Sequence, residues 1–336
     1  MNSYSGPGKG DEAGAKAGVI RRMGLSSAVA GRFCLVKDMN CATATLEAFQ
    51  DVFDLRDDLL LKAVTGLEGG VVAGGSTCGV ITGGALGTAQ LWRRRTAQDP
   101  ATSPTLMRMV GDYVRWFDDT IGTTICRERT GVDFHTASGL ARYFLPGDRV
   151  LRCISHIGKA LAHLEKTAAQ TTFRADPPED GAAMPLHCAS TVLANVRGRT
   201  GLGDVRIEQA AAVLSGGVGL SGGVCGALAG AIMAINLLVG MDVRRNGRVK
   251  IMRDFTVGHI NLLIRQPRWM PEPFGIGREI VRLFCGEAGS RRCREIVDRD
   301  LMSPVDLASY LSTSRTCRRL IGLSSDLAST AIERWE

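Results

Sequence analysis

Apolar residues recur at helical spacing along most of this chain. In CATATLEAFQDVF, residues 41–53, Ala42, Thr45, Leu46, Phe49 and Phe53 fall near one face, which predicts a helix. Asp54, Leu55 and Arg56 read as a turn into a second helix through DDLLLKAVTGL, and the glycines from Gly69 to Gly75 interrupt it. Ser76 and Thr77 are suited to cap the next helix, GVITGGALGTAQLW, placing Cys78 in its first turn. DPATSP, residues 99–104, closes that unit. A long helix is expected from about Pro104 to Arg129, with Met107, Val110, Val114, Phe117 and Ile121 on one face, running to Cys126 and a glycine stop at Gly131. Two more helices are expected around 136–145 and 147–169. The pattern predicts an all-α protein.

The same pattern then repeats. NCATATLEAFQDVFDL at 40–55 is echoed by HCASTVLANVRGRTGL at 187–202, an offset of 147. At that offset Cys41 falls on Cys188, Leu46 on Leu193, Gly69-Gly70 on Gly216-Gly217, Cys78-Gly79 on Cys225-Gly226 and Gly83 on Gly230. Further along the offset becomes 167, and VRWFDDTIGTTICRE matches VRLFCGEAGSRRCRE, pairing Cys126 with Cys293. Cys153 meets Cys317 at an offset of 164. The expected organisation is a disordered tail over 1–27, a first repeat over 28–173, a linker over 174–185, and a second repeat over 186–336 carrying an insertion around 243–272. Two tandem helical bundles forming a pseudo-dimer are the expected architecture.

Composition narrows the function. Hydrophobic residues make up 45% of the 336, enough for a sizeable core. Aromatics are 5%, which favours close packing of small residues on helices. The net charge of +7 comes from scattered arginines, clustered only at Arg93 to Arg95, Arg244-Arg245 and Arg291-Arg292. Without a dense basic face or a recognisable module, nucleic-acid binding is not expected. The N-terminal residues lack the apolar segment of a secretory signal, so a cytoplasmic location is expected. The uncharged stretch from Leu214 to Met241 is long enough to span a bilayer, but its glycines and alanines suit a buried helix better.

Ten cysteines in such a chain point away from a disulfide framework and toward redox chemistry, metal ligation or inert burial. Eight of them are paired between the repeats, whereas Cys34 and Cys285 have no counterpart. Pure packing would have let the eight drift to Ala, Val or Ser. Cys78 and Cys225, at a helix start, are the candidate thiolates, since the macrodipole lowers a thiol pKa there. Cys41, Cys126, Cys153, Cys188, Cys293 and Cys317 are candidate resolving thiols, or co-ligands with the first two. Arg127 and Arg294, next to Cys126 and Cys293, are cations that would favour thiolate. Gly79, Gly83, Gly226 and Gly230 would shape the backbone around the cysteines. There is no CxxC, no CxxCH and no HExxH, and the five histidines, His135, His156, His163, His187 and His259, are not shared between repeats. An all-thiolate set suits an iron-sulfur cluster or zinc, and equally a dithiol that needs no metal. Spacing leaves the three open.

The cysteine set resembles that of the C_GCAxxG_C_C family, small bacterial and archaeal proteins described as redox-active. The resemblance rests on CGVITG at 78–83, CGALAG at 225–230, the upstream NCA and HCA, the two CRE segments and the terminal cysteines. It departs from the family label in placing glycine after the cysteine, and in Val80 where alanine is usual, which would crowd the turn beside Cys78. The resemblance implies a redox role, and by analogy with related split-Soret cytochromes an iron-sulfur cluster in electron transfer. It also implies that the double chain stands in for a homodimer, leaving self-association and a redox partner to be found. The insertion would give the second copy a partner surface or a lid. The contrasting expectation is a zinc-binding or structural scaffold with inert buried cysteines and a partner-binding insertion.

Overall fold

The computed structural model describes residues 26–145, 147–177, 187–264, 273–297, 299 and 303–335. The expected tail falls almost wholly outside them, as do most of the linker and the end of the insertion. The described residues form sixteen α-helices joined by short 3-10 turns, and their only β pairings are two isolated bridges. The fold is all-α and is built twice.

In the first half, α1 (Ser27–Asp38), α2 (Cys41–Phe53), α3 (Asp58–Ala63), α4 (Gly79–Thr96), α5 (Pro104–Ile121), α6 (Cys126–Thr130), α7 (Ala137–Phe144) and α8 (Asp148–Gln170) follow one another. In the second, α9 (Cys188–Thr200), α10 (Val205–Ala211), α11 (Gly226–Val239), α12 (Arg248–Leu263), α13 (Pro273–Ala288), α14 (Cys293–Val297), α15 (Pro304–Thr313) and α16 (Arg315–Glu333) complete the chain. The uncharged stretch became α11, 14 residues long and buried, and among the described residues no helix is long and apolar enough to cross a membrane.

Small residues set the packing. α2 lies on α4 where a Cβ on Gly83 would sit 2.4 Å from the Ala42 carbonyl oxygen, and α9 lies on α11 where a Cβ on Gly230 would sit 2.8 Å from that of Ala189. Each central helix also packs across to the other half: α11 meets α3 and the turn at 64–67, and α4 meets α10 and the turn at 212–214. One continuous apolar core results, drawn from both halves.

The glycine stretches are left-handed turns. Gly69, Gly70, Val71, Val72 and Ala73, and likewise Gly216 to Leu220, all have positive φ, between 51° and 83°. An L-residue in that region costs roughly 1–2 kcal/mol, so Val71, Val72, Ala73, Val218 and Leu220 are strained. Backbone bonds repay it: the Val72 N–H donates to Gly66 O at 2.7 Å and Gly75 to Gly69 at 2.9 Å, with Gly219 to Val213 at 2.8 Å and Gly222 to Gly216 at 2.9 Å in the second half. Each turn also docks on the other half, Gly219 against Gly111 of α5 and Val72 against Gly277 of α13.

Two sequence expectations fail here for local reasons. The helix from Pro104 stops at Ile121, because Gly122 takes φ 99° and the Asp118 carboxylate accepts the Thr124 N–H. Cys126 therefore opens a separate short helix. Ser76 and Thr77 do not cap α4: the N-cap residue is Cys78 itself, and the Thr77 hydroxyl accepts the Val224 N–H across the pseudo-twofold at 2.8 Å.

Candidate thiol site

The four paired cysteines of each half converge. In the first, the Cys78 N–H donates to Thr124 O at 2.9 Å and the Cys126 N–H to Ser76 O at 2.8 Å, a clasp around the Thr77–Ile125 bridge. The second repeats it, with Cys225 donating to Arg291 at 2.8 Å and Cys293 to Gly223 at 2.6 Å. Cys41 and Cys188 begin α2 and α9, and Cys153 and Cys317 come from the long helices α8 and α16. The glycine after each central cysteine admits the first one: a Cβ on Gly79 would lie 2.5 Å from Cys41 Sγ, and one on Gly226 3.2 Å from Cys188 Cβ. Gly79, Gly83, Gly226 and Gly230 thus shape a helix crossing rather than a loop. Cys34 stands elsewhere, beside Asp38 and Glu47, and Cys285 lies on α13.

Burial dominates the thiols. Cys78 is fully buried, and desolvation raises its pKa although Arg129 and the Val80 and Ile81 N–H groups oppose the rise. The macrodipole expectation for Cys78 is therefore outweighed. Cys225, with only the Leu228 and Ala227 N–H groups to help it, is pushed up to about 11 by burial. Cys41, Cys126, Cys188, Cys293 and Cys317 are raised too, again chiefly by burial.

The cation at the centre is not Arg127, which pairs with the Asp133 carboxylate at 3.1 Å, nor Arg294, which donates to Ser221 O at 2.8 Å. It is Arg129, two residues past Arg127 along α6 and about one turn from Cys126. Its Nη2 lies 3.1 Å from Cys78 Sγ and its Nη1 3.7 Å from Cys153 Sγ, and Nη1 also meets His156 Nδ1 at 2.7 Å. Burial works against its charge, but the four sulfurs around it hold its pKa up. His156, desolvated and beside that guanidinium, falls to about 4 and serves as a neutral acceptor.

A cavity of about 260 Å³ opens onto this centre. Cys41, Cys126, Cys153 and Arg129 line it, whereas Cys78 stands behind them. Glu68 lines it as well, a buried carboxyl pushed up to about 8 by desolvation. His259 Nε2 lies 3.6 Å from Glu68 Oε1, and its pKa falls to about 4 through burial, so both groups are neutral at pH 7. His259 and Phe255 belong to α12, in the insertion. The insertion, expected to give the second copy a partner surface or a lid, lines the cavity of the first.

Sequence reasoning missed Arg129, Glu68, His156 and His259. At the repeat offsets, Arg129 corresponds to Ile296, Glu68 to Ser215 and His156 to Leu320. A search for what the repeats share passes over them, and the signal lay in where they differ.

Among the described residues no three His, Cys, Asp or Glu side chains stand in an arrangement that could hold a metal ion, and all ten cysteines are unbridged. No curated protein and no solved structure was found to match the chain. A family model matches it twice, over residues 39–167 and 186–330, under the description "Putative redox-active protein (C_GCAxxG_C_C)". With both four-cysteine centres inside the matched segments, the chain belongs to the C_GCAxxG_C_C family, as two tandem copies.

Proposed function

We propose that the first copy is a dithiol redox centre that works by thiol–disulfide exchange, and that the second copy is its structural partner. The observation that carries this reading is the Arg129 guanidinium, set between the Cys78 and Cys153 sulfurs. A thiolate is the attacking species in exchange, and a buried cation is what lets one form in a desolvated site. Cys153 faces the cavity and meets the substrate. Its thiolate attacks one sulfur of a substrate disulfide, forming a mixed disulfide and releasing the other sulfur as a thiol. Cys78 then attacks the mixed bond at Cys153, releasing the second substrate thiol and leaving a Cys78–Cys153 disulfide. Two protein thiols are oxidised and one substrate disulfide is reduced to two thiols, so electrons balance. Cys41 and Cys126 complete the pocket-facing sulfurs, and Cys188, Cys225, Cys293 and Cys317 converge in the same way, with no cation beside them among the described residues.

That no three His, Cys, Asp or Glu side chains among the described residues are arranged to hold a metal supports this over zinc or an iron-sulfur cluster, for which Cys41, Cys78, Cys126 and Cys153 would be the ligands. The test is anaerobic purification, with metal and sulfide assays and thiol counts before and after exposure to hydroxyethyl disulfide. Loss of two thiols in the first copy, recovered on reduction and mapped to Cys78 and Cys153, is expected. Stoichiometric iron with sulfide, stoichiometric zinc, or thiols inert to the disulfide would overturn it.

A further inference from the structure

We propose that the cavity of the first copy, closed by Phe255 and His259 of the insertion, is a binding site for a small quinone. The proposal rests on the dithiol reading for the electron step, but not for binding. The walls are rings: Phe134, Tyr143, Phe144 and Phe255 succeed one another in edge-on contacts, and Phe255 meets His259 in a tilted one. Such a wall accepts a flat aromatic molecule on its faces and edges. The volume of about 260 Å³ lies just under the span of drug-sized pockets, about 300–1,000 Å³, which limits the occupant to one or two rings. The entrance is apolar as well, with Val36 and Phe144 both lining the cavity and exposed at its rim.

The polar groups decide the chemical class. Glu68, a buried carboxyl on the cavity wall with its pKa pushed up to about 8, holds its proton at pH 7 and is a hydrogen-bond donor. The Arg129 guanidinium, on the same wall, is spent on Cys78, Cys153 and His156, and its Nε is buried beyond the reach of a molecule in the cavity. One donor in an apolar aromatic slot lined by thiols fits an oxidising ring that carries a carbonyl oxygen. Three thiols face that slot. Reduction balances: two cysteine S–H bonds break and one S–S bond forms, while two electrons and two protons pass to the quinone, giving two O–H groups and a hydroquinone. No counterpart of Glu68 or Arg129 exists in the second copy, where Ser215 and Ile296 stand.

Durohydroquinone, the tetramethyl hydroquinone, separates binding from turnover, since neither it nor reduced protein can pass electrons to the other. Calorimetric titration of the reduced full chain should give one site per chain, weakened at least tenfold in Phe255→Ala and in Glu68→Ala. Glu68→Gln, which keeps a donor, should bind within threefold of the unaltered chain, and guards against a misfolded Glu68→Ala. Duroquinone, whose ring positions are all blocked to thiol addition, should then be reduced anaerobically with loss of two thiols. Absence of saturable binding, or binding indifferent to Phe255→Ala and Glu68→Ala, overturns the proposal even where the thiols exchange with hydroxyethyl disulfide. Binding that responds to both variants without oxidation of any thiol upholds the site and removes the redox reading instead.

Discussion

The two copies hold the same backbone and differ in charge. The clasp that ties Cys78 to Thr124 and Cys126 to Ser76 recurs as Cys225 to Arg291 and Cys293 to Gly223, and both left-handed turns close with equivalent bonds. Arg129, His156 and Glu68 in the first copy face Ile296, Leu320 and Ser215 in the second. Shared residues are therefore those that bring four sulfurs together, and unshared ones are those that change what the sulfurs can do. Four converging buried thiols are by themselves only a scaffold, because burial raises all those pKa values resolved in either copy. A cation and an entrance turn that scaffold into a site.

The comparison breaks most sharply at Arg129. Replacing it with the residue the second copy carries, Arg129→Ile, removes the guanidinium from Cys78 and Cys153 while keeping an apolar side chain of acceptable volume. An opposite charge at hydrogen-bond distance is worth about one to three pKa units to a thiolate. The remaining thiolate is more nucleophilic, with a Brønsted slope of about 0.4–0.5, so the net loss in exchange rate is roughly three- to sixtyfold. Peptide-resolved alkylation at pH 8 should show that slowing at Cys153 and no change at Cys225 or Cys317. Equal slowing in both copies would mean that the fold, not the charge, was disturbed.

Much of this was legible in the chain and some was not, for reasons that particular residues show. The helices from Cys41 to Phe53 and from Gly79 to Thr96 follow from local apolar spacing, and the duplication follows from cysteines and glycines that recur in register. The break at Gly122 was missed because the apolar face of α5 runs on smoothly toward Cys126, and only a long-range partner, Ser76, pulls that cysteine away. Arg129 was passed over for Arg127 because adjacency in sequence was taken as adjacency in space, while on a helix the residue three along from Cys126 shares its face. The cover over the cavity was unreadable locally, since α12 lies more than a hundred residues from the site it closes.

Glu68 against Ser215 sharpens the comparison next. The carboxyl titrates near its ordinary 4.5 when unfolded and at about 8 when buried, so the folded state holds a proton that the unfolded state gives up. Stability from this group is fully present below pH 4.5 and is lost as pH rises to 8, by up to about 1.4 kcal/mol per pH unit. Denaturant unfolding across that window should show the chain losing on the order of 3–5 kcal/mol relative to Glu68→Gln. Ser215→Ala, measured the same way, should shift stability without the slope. A flat difference for Glu68→Gln would place the carboxylate in contact with water and remove it as a donor in the cavity.

The smallest effect tests the part the copies share. Gly83 and Gly230 occupy the same place at the crossing of a central helix over the helix that begins with a cysteine. A Cβ at Gly83 would come within 2.4 Å of the Ala42 carbonyl oxygen, and one at Gly230 within 2.8 Å of that of Ala189. Neither backbone can turn aside, so the helices must part, at about 1–3 kcal/mol for overpacking, partly offset by about 1 kcal/mol from the better helix propensity of alanine. Gly83→Ala should therefore destabilise by about 2 kcal/mol and Gly230→Ala by about 1 kcal/mol in urea unfolding. Thiol reactivity divides the two further. Parting α2 from α4 shifts Cys41 relative to Cys78 and should alter alkylation at the cavity-facing sulfurs, whereas parting α9 from α11 should leave those rates unchanged. If Gly230→Ala altered them equally, the shared core would transmit the strain between copies, and the second copy would be setting the geometry of the first.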